Sequence, residues 1–357
     1  MLGLQRWSRR DFLKWSGLGL LGLVFPPSAA SLPAAIQWAS SLPAQTEEDS
    51  PRLGRVLEET VLVFKEPTFK ADLVRIYWRD LVLPISGVTL GSGAPEYNRI
   101  WYRIGEEGYV HSGDIQPVRV ITQPNGGTIP EGGRLAEVTV PYTDARRLPS
   151  ELENSLIAYR MYYGTTHWIF SQKRDDLGKT WYELFDDKYK LFYYANATHL
   201  RLIPPEELTP ISPEIPIEDK RLEVRLEDQV LIAYEWEKPV FMAKVASGGN
   251  FSTGNYSTPT GHYITNHKRY TRHMAAGDHA APNSYDLPGV PWVTYFTPEG
   301  ISFHGTYWHN DFGHPRSHGC VNLAPSAARW IFRWTLPTVP TGEVFAFKDY
   351  GTGVDIY

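Results

Sequence analysis

The stretch HGTYWHNDFGHPRSHGCVNL, residues 304–323, decides how the C-terminal part of this chain folds and which chemistry it can perform. It begins with His304-Gly305 and nearly ends with Cys320, the only cysteine among 357 residues. A thiol becomes a strong nucleophile when an imidazole accepts its proton, even if the two residues are distant in sequence. Because sixteen positions separate them, we expect two strands joined by a loop to bring both to one end of a sheet. The loop is then one wall of a cleft.

The first thirty residues are typical of an export signal. Basic residues precede an apolar run over residues 15–25, which is too short for a membrane span of about 20 residues. The segment SRRDFLK, residues 8–14, resembles the twin-arginine signal. We therefore expect a protein exported across the cytoplasmic membrane, with residues 1–53 as signal and linker. Retention of this segment as an N-terminal membrane anchor is the alternative.

The composition is that of a globular protein without a nucleic-acid partner. Hydrophobic residues make up 42% of the chain, the formal net charge is -5, and no long run of Lys and Arg could neutralise phosphates. In an exported protein a lone cysteine is a liability unless it is buried or functional. A small buried core residue is the ordinary interpretation of Cys320, and only its sequence neighbours favour a nucleophile.

Residues 54–204 contain two similar β-rich segments. Short runs of β-branched and aromatic residues are broken by Gly, Pro and Asp, a pattern that predicts strands. The run NRIWYRI, residues 98–104, recurs loosely as KTWYEL, residues 179–184. We therefore predict two related small barrels, residues 54–121 and 134–204. Most of their Trp and Tyr side chains are expected in the barrel cores, whereas exposed ones would stack on sugars or peptides.

A third domain is predicted for residues 220–350, after a proline-rich, acidic linker at residues 205–219. Its opening residues, 220–245, have the pattern of a β-meander. One helix is predicted, at residues 325–334, with a cap and a proline near its start. The fold class is therefore mainly β, with two small barrels before a third β domain.

The two N-terminal segments resemble bacterial SH3-like domains, which are often cell-wall attachment modules. The shared pattern is Trp-Tyr, a turn, Gly-Tyr-Val-His and a short final strand. The first segment is the closer match, because the second lacks the glycine before its aromatic pair. The resemblance implies two SH3-like β-barrels that attach the protein to the wall.

Four motifs of the third domain resemble the YkuD-type L,D-transpeptidase catalytic domain. They occur in the family's order: VASGG at 245–249, TPTGHYI at 258–264, FHGT at 303–306 and SHGCVNL at 317–323. The pairing of S-H-G-C with an upstream H-G is rare, whereas T-P-x-G-x-Y alone is a weak signal. The resemblance implies a catalytic β-sandwich or barrel that uses neither a cofactor nor a metal.

Residue chemistry and the resemblance together assign the catalytic roles. Cys320 is the expected nucleophile, and His304 is the base that forms a thiolate–imidazolium pair and later protonates the leaving amine. Gly305 lets the backbone pass beside the imidazole, and in the family a carbonyl near this position orients the histidine. The N–H groups of His318, Gly319 and Cys320 are expected to stabilise the oxyanion, because glycine permits a sharp turn there.

Four further residues are predicted to bind substrate, namely Asn322, Trp308, Ser317 and Tyr263. Asn322 occupies a position where many relatives carry arginine, and we expect it to hydrogen-bond the substrate peptide. Trp308 is expected to form a wall of the cleft. For Ser317 and His318, stabilisation of the turn is an equal alternative to a catalytic role.

The resemblance also implies the reaction. The thiolate attacks the carbonyl of the third residue, a diamino acid, of a peptidoglycan stem tetrapeptide, expels D-alanine and leaves a thioester. An amine from a neighbouring stem then forms a cross-link between the third residues of two stems, or water completes an L,D-carboxypeptidase reaction. The expected partners are therefore stem peptides and the cell wall, and we expect a monomer.

Two other functions remain as alternatives. Eight histidines between positions 262 and 318 would suit a zinc-dependent wall peptidase, although no H-E-x-x-H motif occurs and several of them lie in a Gly- and Pro-rich loop. A non-enzymatic wall-binding protein would depend on its N-terminal barrels alone. The intact His304, Gly305 and Cys320 argue against the second alternative.

Overall fold

The computed structural model describes residues 53–123, 127–152, 155–277 and 284–357. The predicted export signal and linker therefore lie outside the described residues, apart from position 53. In the part of the chain that is described, no helix combines the length and apolar character needed to cross a membrane. The architecture is mainly β, which confirms the fold class predicted from the short β-branched and aromatic runs.

Residues 53–118 form an antiparallel sheet, called here the first sheet. Its strands are β1 (Leu53–Val56), β2 (Thr60–Phe64), β3 (Leu73–Trp78), β4 (Val82–Leu90), β5 (Ile100–Ile104), β6 (Gly108–His111) and β7 (Ile115–Val118). They are ordered β3-β2-β6-β5-β4-β1-β7. Alternate residues of these strands, mostly Val, Ile and Leu, form a small core of their own.

Residues 134–202 form the second sheet. Its strands are β8 (Arg134–Val138), β9 (Tyr142–Arg146), β10 (Ile157–Tyr162), β11 (Thr166–Arg174), β12 (Thr180–Asp186), β13 (Leu191–Asn196) and β14 (Leu200–Leu202). The order β10-β9-β13-β12-β11-β8-β14 is that of the first sheet with every strand moved on by seven. The loose sequence repeat therefore corresponds to a repeated topology.

Two local features recur in both sheets. Trp101 of β5 is 2% exposed and Trp181 of β12 is 1% exposed, so both are core residues as predicted. Trp101 lies opposite His111, and Trp181 lies opposite Asn196 in the next strand. His111 and Asn196 each accept a hydrogen bond from the backbone N–H two residues further on, and each begins a short 3₁₀ turn into the last strand. The repeat thus extends to a capping interaction.

The third sheet contains residues 220–356. Its strands are β15 (Lys220–Arg225), β16 (Val230–Glu235), β17 (Lys238–Lys244), β20 (Gly261–Ala276), β21 (Tyr285–Tyr295), β22 (Ser302–Gly305), β23 (Val321–Leu323) and β24 (Phe345–Ile356), and a hairpin of β18 (Asn250–Phe251) and β19 (Gly254–Asn255) lies outside it. The order is β17-β16-β15-β24-β20-β21-β22-β23. The opening meander is therefore present as predicted, and the last strand continues past position 350.

Helix α1 (Pro325–Trp334) is the predicted helix, and its bounds agree with the prediction. Pro325 occupies the first turn, where a missing N–H costs nothing. The residue before it, Ala324, provides no side-chain cap, so the predicted cap is absent. The apolar face of α1 packs against β21, β22 and β23. This packing holds the end of the sheet that carries the 304–323 stretch.

Two buried lysines satisfy backbone carbonyls at the C-terminal end of α1. Lys268 donates from Nζ to the carbonyls of Phe332 and Thr335, the latter at 2.8 Å. Lys220 donates to the carbonyl of Trp334 at 3.2 Å. Burial lowers the pKa of Lys268 well below its ordinary value. The last carbonyls of a helix have no partner within the helix, and these amines supply one.

The predicted linker, residues 205–219, packs against the third sheet and α1. Glu207 accepts hydrogen bonds from Arg201 of the second sheet at 2.7 Å and from Arg329 of α1 at 2.5 Å. The Arg201 guanidinium, together with Arg329, lowers the pKa of Glu207 to about 2. Trp168 of the second sheet belongs to the same hydrophobic cluster as the core of the third sheet. The second sheet is thus joined to the third by a continuous core and an ion-pair network.

Candidate active site

Strands β22 and β23 are parallel neighbours, and the residues singled out in the sequence lie on them or beside them. The register pairs His304 with Asn322, and Cys320 directly precedes β23. A loop of residues 306–319, called the 306–319 loop, connects the two strands. The structure therefore confirms the expectation that two strands joined by a loop bring His304 and Cys320 to one end of a sheet.

Strand periodicity puts these side chains on one face. Phe303 and its neighbours on β23 belong to the hydrophobic core shared with α1. Successive residues of a strand point to opposite faces. The other face therefore carries the side chains of Ser302, His304, Cys320 and Asn322. Polar and reactive groups are gathered there while the aliphatic positions fix the strands against the helix.

The Ser317-His318-Gly319-Cys320 segment is a tight turn. Gly319 has a φ of +119°, a conformation that residues with a side chain rarely adopt. The Ser317 hydroxyl donates to the carbonyl of Cys320 and accepts the N–H of Gly319 at 3.2 Å. Ser317 is 7% exposed, so its contacts are those of a turn-stabilising residue. The N–H of Gly319 is therefore already hydrogen-bonded to Ser317. Of the three predicted oxyanion donors, the N–H groups of His318 and Cys320 are not bonded to Ser317.

Residues of the V-A-S-G-G and T-P-x-G-x-Y motifs contact the backbone of this turn. The hydroxyl of Thr258 donates to the carbonyl of Gly319 at 2.8 Å and accepts the N–H of Gly248 at 2.8 Å. A Cβ atom on Gly248 would lie 2.1 Å from the carbonyl oxygen of Tyr256 and 2.7 Å from the Cα of Gly319. Only glycine permits this approach, so the two upstream motifs and the cysteine turn form one packed unit.

Cys320 is half-buried as a residue, and its thiol lies 3.7 Å from the hydroxyl of Ser302. Burial raises the pKa of Cys320, and the backbone and hydroxyl of Ser302 offset part of this rise. Ser302 was not predicted from the sequence. Its position two residues before His304 on the same strand is the signal that would have found it, because residues i and i+2 share a face.

The imidazole of His304 is 2% exposed. Its Nδ1 lies 3.2 Å from the carbonyl oxygen of Gly305, so Nδ1–H donates and Nε2 keeps its lone pair. Burial lowers the pKa of His304 to about 4, and the Gly305 carbonyl only partly opposes this. Both this shift and that of Cys320 favour uncharged groups. Burial thus disfavours the charged form of each group, the thiolate as well as the imidazolium of the predicted pair.

The remaining predicted residues take different places. The ring of Trp308 is half-buried and its centroid lies 5.7 Å from that of His304. Asn322 is 1% exposed and its Nδ2 lies 2.9 Å from Nε2 of His309, so it is a buried partner of that histidine. Tyr263 packs against Phe296 on the core side of the sheet, with 5.6 Å between ring centroids. The structure thus brings Trp308 to the site and gives Asn322 and Tyr263 the contacts of structural residues.

The clustered histidines have separate surroundings. His304 contacts Gly305, His309 contacts Asn322, and His314 stacks on Tyr97 of the first sheet with 5.1 Å between centroids. Among the residues that the structure describes, no three His, Cys, Asp or Glu side chains are grouped so that they could hold a metal ion.

The first sheet supports the 306–319 loop. Arg55 donates from Nη2 to the carbonyl of Tyr307 at 2.7 Å, and the N–H of Asn310 donates to the carbonyl of Gly113 at 3.0 Å. A Cβ atom on Gly113 would lie 2.9 Å from Oδ1 of Asp311, so glycine leaves room for that carboxylate. The loop between the two candidate catalytic residues is therefore shaped by a segment about 200 residues earlier in the chain.

Asp311 is the centre of these contacts. It is 5% exposed and accepts hydrogen bonds from the Tyr97 hydroxyl at 3.1 Å and from Nη1 of Arg316 at 3.0 Å. Nδ2 of Asn98 lies 3.4 Å from its other oxygen. Arg316 also binds Glu58 of the first sheet at 3.0 Å. One buried carboxylate thus connects the loop with two parts of the first sheet.

Comparison with known proteins finds a family model that matches the same part of the chain. Residues 219–356 match the family model of YkuD, the L,D-transpeptidase catalytic domain. No curated protein matches the chain.

Solved structures also resemble the chain, with low sequence identities and low TM-scores. An L,D-transpeptidase from Mycobacterium smegmatis matches with 17% identity and a TM-score of 0.31, over 39% of this chain and 58% of that one. The Enterococcus faecium L,D-transpeptidase matches with 23% identity and a TM-score of 0.30, over 39% of this chain and 50% of that one. The chain thus covers only about half the length of these relatives. What the family model supports is a statement about one segment: residues 219–356, which contain His304 and Cys320, are similar to the YkuD family of L,D-transpeptidase catalytic domains.

Proposed function

We propose that this chain is an exported cysteine L,D-transpeptidase that acts on peptidoglycan stem peptides. The observation that carries the proposal is the parallel pairing of β22 with β23, which puts His304 and Cys320 on one face within a segment that matches the family. The twin-arginine-like segment supports export. The repeated strand order of the first two sheets is compatible with two SH3-like wall-binding modules.

In this mechanism acylation begins with both groups uncharged, the forms that burial favours. As Sγ of Cys320 attacks the carbonyl carbon of the third stem residue, its proton passes to Nε2 of His304. The C–N bond to D-alanine then breaks, and the imidazolium returns the proton to the departing amine. The Nδ1 contact with the Gly305 carbonyl keeps Nε2 as the proton acceptor and stabilises the transient imidazolium. Because burial opposes both charges at rest, proton transfer accompanies the attack and does not precede it.

The carbonyl oxygen gains negative charge as the tetrahedral intermediate forms. We assign its stabilisation to the backbone N–H groups of His318 and Cys320, which flank the positive-φ residue Gly319. Removing one donor of this kind typically costs about 3 kcal/mol in the transition state. Deacylation is the reverse process with a new nucleophile. An amine or water attacks the thioester, the C–S bond breaks, and the proton lost by the nucleophile returns through His304 to the sulfur.

The test is mass spectrometry of the products from a defined stem tetrapeptide. With the tetrapeptide alone, we expect loss of one D-alanine and a tripeptide from hydrolysis. With an added amine-bearing stem, we expect a product in which two stems are joined. Full-length protein should be used, since the first sheet contacts the 306–319 loop. Release of any other residue, or an unchanged tetrapeptide, would contradict the proposal.

Asp311 provides a second prediction, as a residue that positions the 306–319 loop. Asp311→Asn keeps the shape but removes the charge that holds Tyr97 and Arg316. We expect Cys320 to be acylated about tenfold to a hundredfold more slowly, because small displacements of catalytic groups cost that much. Backbone hydrogen exchange in residues 306–319 should also become faster than in the wild type. A variant whose loop keeps its wild-type structure would not show this change. Asp349→Asn, at an exposed position of β24, is the matched control. Unchanged exchange and acylation would mean that the loop does not depend on Asp311.

A further inference from the structure

A cleft of about 450 Å³ lies where the three sheets meet. The first sheet contributes Arg55 and Arg79, the second sheet contributes Arg160 and Tyr162, and the third contributes Asp286 and Trp308. The catalytic segment alone therefore does not form this cleft. It exists only because both preceding sheets pack beside the 306–319 loop.

The lining of the cleft has an excess of positive charge. Four arginines face it, namely Arg55, Arg79, Arg160 and Arg316, against the carboxylates of Glu58 and Asp286. Both carboxylates already have cationic partners. Glu58 binds Arg316 at 3.0 Å, and Asp286 binds Lys188 at 3.1 Å and His273 at 2.5 Å. Three of the four arginines are likewise paired with carboxylates, so binding of a ligand's carboxylate depends on the arginine that is not.

The arginines differ in how they are held. Arg55 is 2% exposed and is fixed by Asp80 at 2.9 Å and by the Tyr307 carbonyl at 2.7 Å. Arg160 also binds Asp80, at 2.9 Å, and Asp144 at 3.1 Å. Arg79 is exposed, and within the described ranges no salt bridge involves its guanidinium. Arg79 is thus the cation of the cleft that is available to a ligand.

Trp308 connects the cleft with the catalytic histidine. Its ring lines the cleft and its centroid lies 5.7 Å from that of His304. Among the described residues, the lining of the cleft includes neither Cys320 nor Ser302, whose thiol and hydroxyl lie 3.7 Å apart. A molecule in the cleft would therefore contact Trp308, the neighbour of His304, without occupying the position of the acylated sulfur.

We propose that this cleft binds the carboxylate groups of the acceptor stem peptide, with Arg79 as its principal ligand. The inference rests on the proposed function. In the second half of that reaction an amine attacks the thioester, the C–S bond breaks, and the amine transfers a proton through His304 to the sulfur. The amine must come close to His304, and the peptide that carries it ends in a carboxylate. A guanidinium binds a carboxylate through two parallel hydrogen bonds, which orients as well as attracts it.

The consequence is a separation of donor and acceptor recognition. Water carries no carboxylate, so hydrolysis of the acyl-enzyme does not need the cleft. Acylation by the donor does not need it either, because it takes place at the thiol. The cleft therefore controls the ratio of cross-linked to hydrolysed product, which the catalytic motifs by themselves leave open.

The experiment compares Arg79→Ala, Arg79→Glu and Arg79→Lys with Arg103→Ala, an arginine that is outside the cleft on the same sheet. Full-length protein is acylated with a tetrapeptide and then offered an acceptor stem with a free C-terminal carboxylate or the same stem as its amide. For Arg79→Ala we expect the acceptor concentration at half-maximal cross-linking to rise about tenfold, with a larger rise for Arg79→Glu and partial recovery for Arg79→Lys. The rates of acylation and hydrolysis should stay at the wild-type level. The amidated acceptor should respond little to any of these substitutions.

Equal acceptor dependence in wild type and Arg79→Ala would overturn the inference, as would an equal loss with the amidated stem. A fall in acylation rate together with cross-linking would also overturn it, since the cleft would then serve the donor or the fold. Failure of wild type to form any acyl-enzyme is a different outcome, because it would reject the proposed function itself.

Discussion

Cys320→Ala is expected to abolish covalent acylation completely. The wild-type protein should gain the mass of one carbapenem, because an activated thiol opens the strained lactam as it would attack a stem-peptide carbonyl. The chain contains one cysteine, so a thioester can form at no other residue. Intact-protein mass spectrometry after a short incubation measures this directly. The expected result is full modification of wild type and none of the variant.

Ser302→Ala is the matched control for that substitution. It removes the hydroxyl 3.7 Å from the thiol while leaving Cys320 in place. The hydroxyl lowers the pKa of Cys320 against the effect of burial, so its loss should slow acylation without preventing it. An adduct of equal yield on Cys320→Ala would show that another residue is the nucleophile. An unmodified wild type would remove the cysteine mechanism altogether.

His304→Gln is expected to slow acylation about a hundredfold to ten-thousandfold, the usual contribution of a general base. Glutamine keeps a polar group of similar size but cannot accept the thiol proton. The same imidazole sets the pH dependence of the wild-type rate. Below its pKa of about 4 it is protonated and cannot act as the base, so the rate should fall there and be level from about pH 5 to neutrality.

The pH profile separates this arrangement from an ordinary catalytic histidine. An acid limb near 6.5, the usual pKa of histidine, would contradict the buried, neutral imidazole of the structure. The control is His262→Gln, since His262 is exposed and its Nδ1 lies 2.6 Å from Asp355, on another strand. It should retain the wild-type rate and profile. Stopped-flow measurement of carbapenem acylation between about pH 3 and pH 8 provides both readouts.

Local sequence patterns predicted the parts of the fold that depend on neighbouring residues. The meander of β15, β16 and β17 follows from strand patterning, and α1 follows from its proline start and apolar face. The repeat of Trp-Tyr strands predicted two related segments, and the two sheets have the same strand order. A single sequence is informative about the helix and the individual strands, because interactions between residues a few positions apart decide them. Pairing within the sheets reaches further, for example from Leu53 to Val118.

Predictions that depended on distant contacts were less complete. Residues 205–219 have the composition of a linker, yet Glu207 joins Arg201 to Arg329. The sequence predicted a thiolate–imidazolium pair, and only the structure shows that burial opposes both of these charges. Burial of a given side chain depends on which segments cover it. No motif records that information.

By itself, the sequence indicated the candidate nucleophile and base, two strands joined by a loop that bring them together, and the motifs of the turn before Cys320. These conclusions rest on residue type, strand patterning and the resemblance of the motifs to a known family. Only the tertiary structure decided that the first sheet holds the 306–319 loop through Asp311, that Ser302 lies beside the thiol, and that an arginine-lined cleft opens next to Trp308. The physical reason is that packing and ion pairs act between segments more than 200 residues apart, and local patterns carry no record of such contacts.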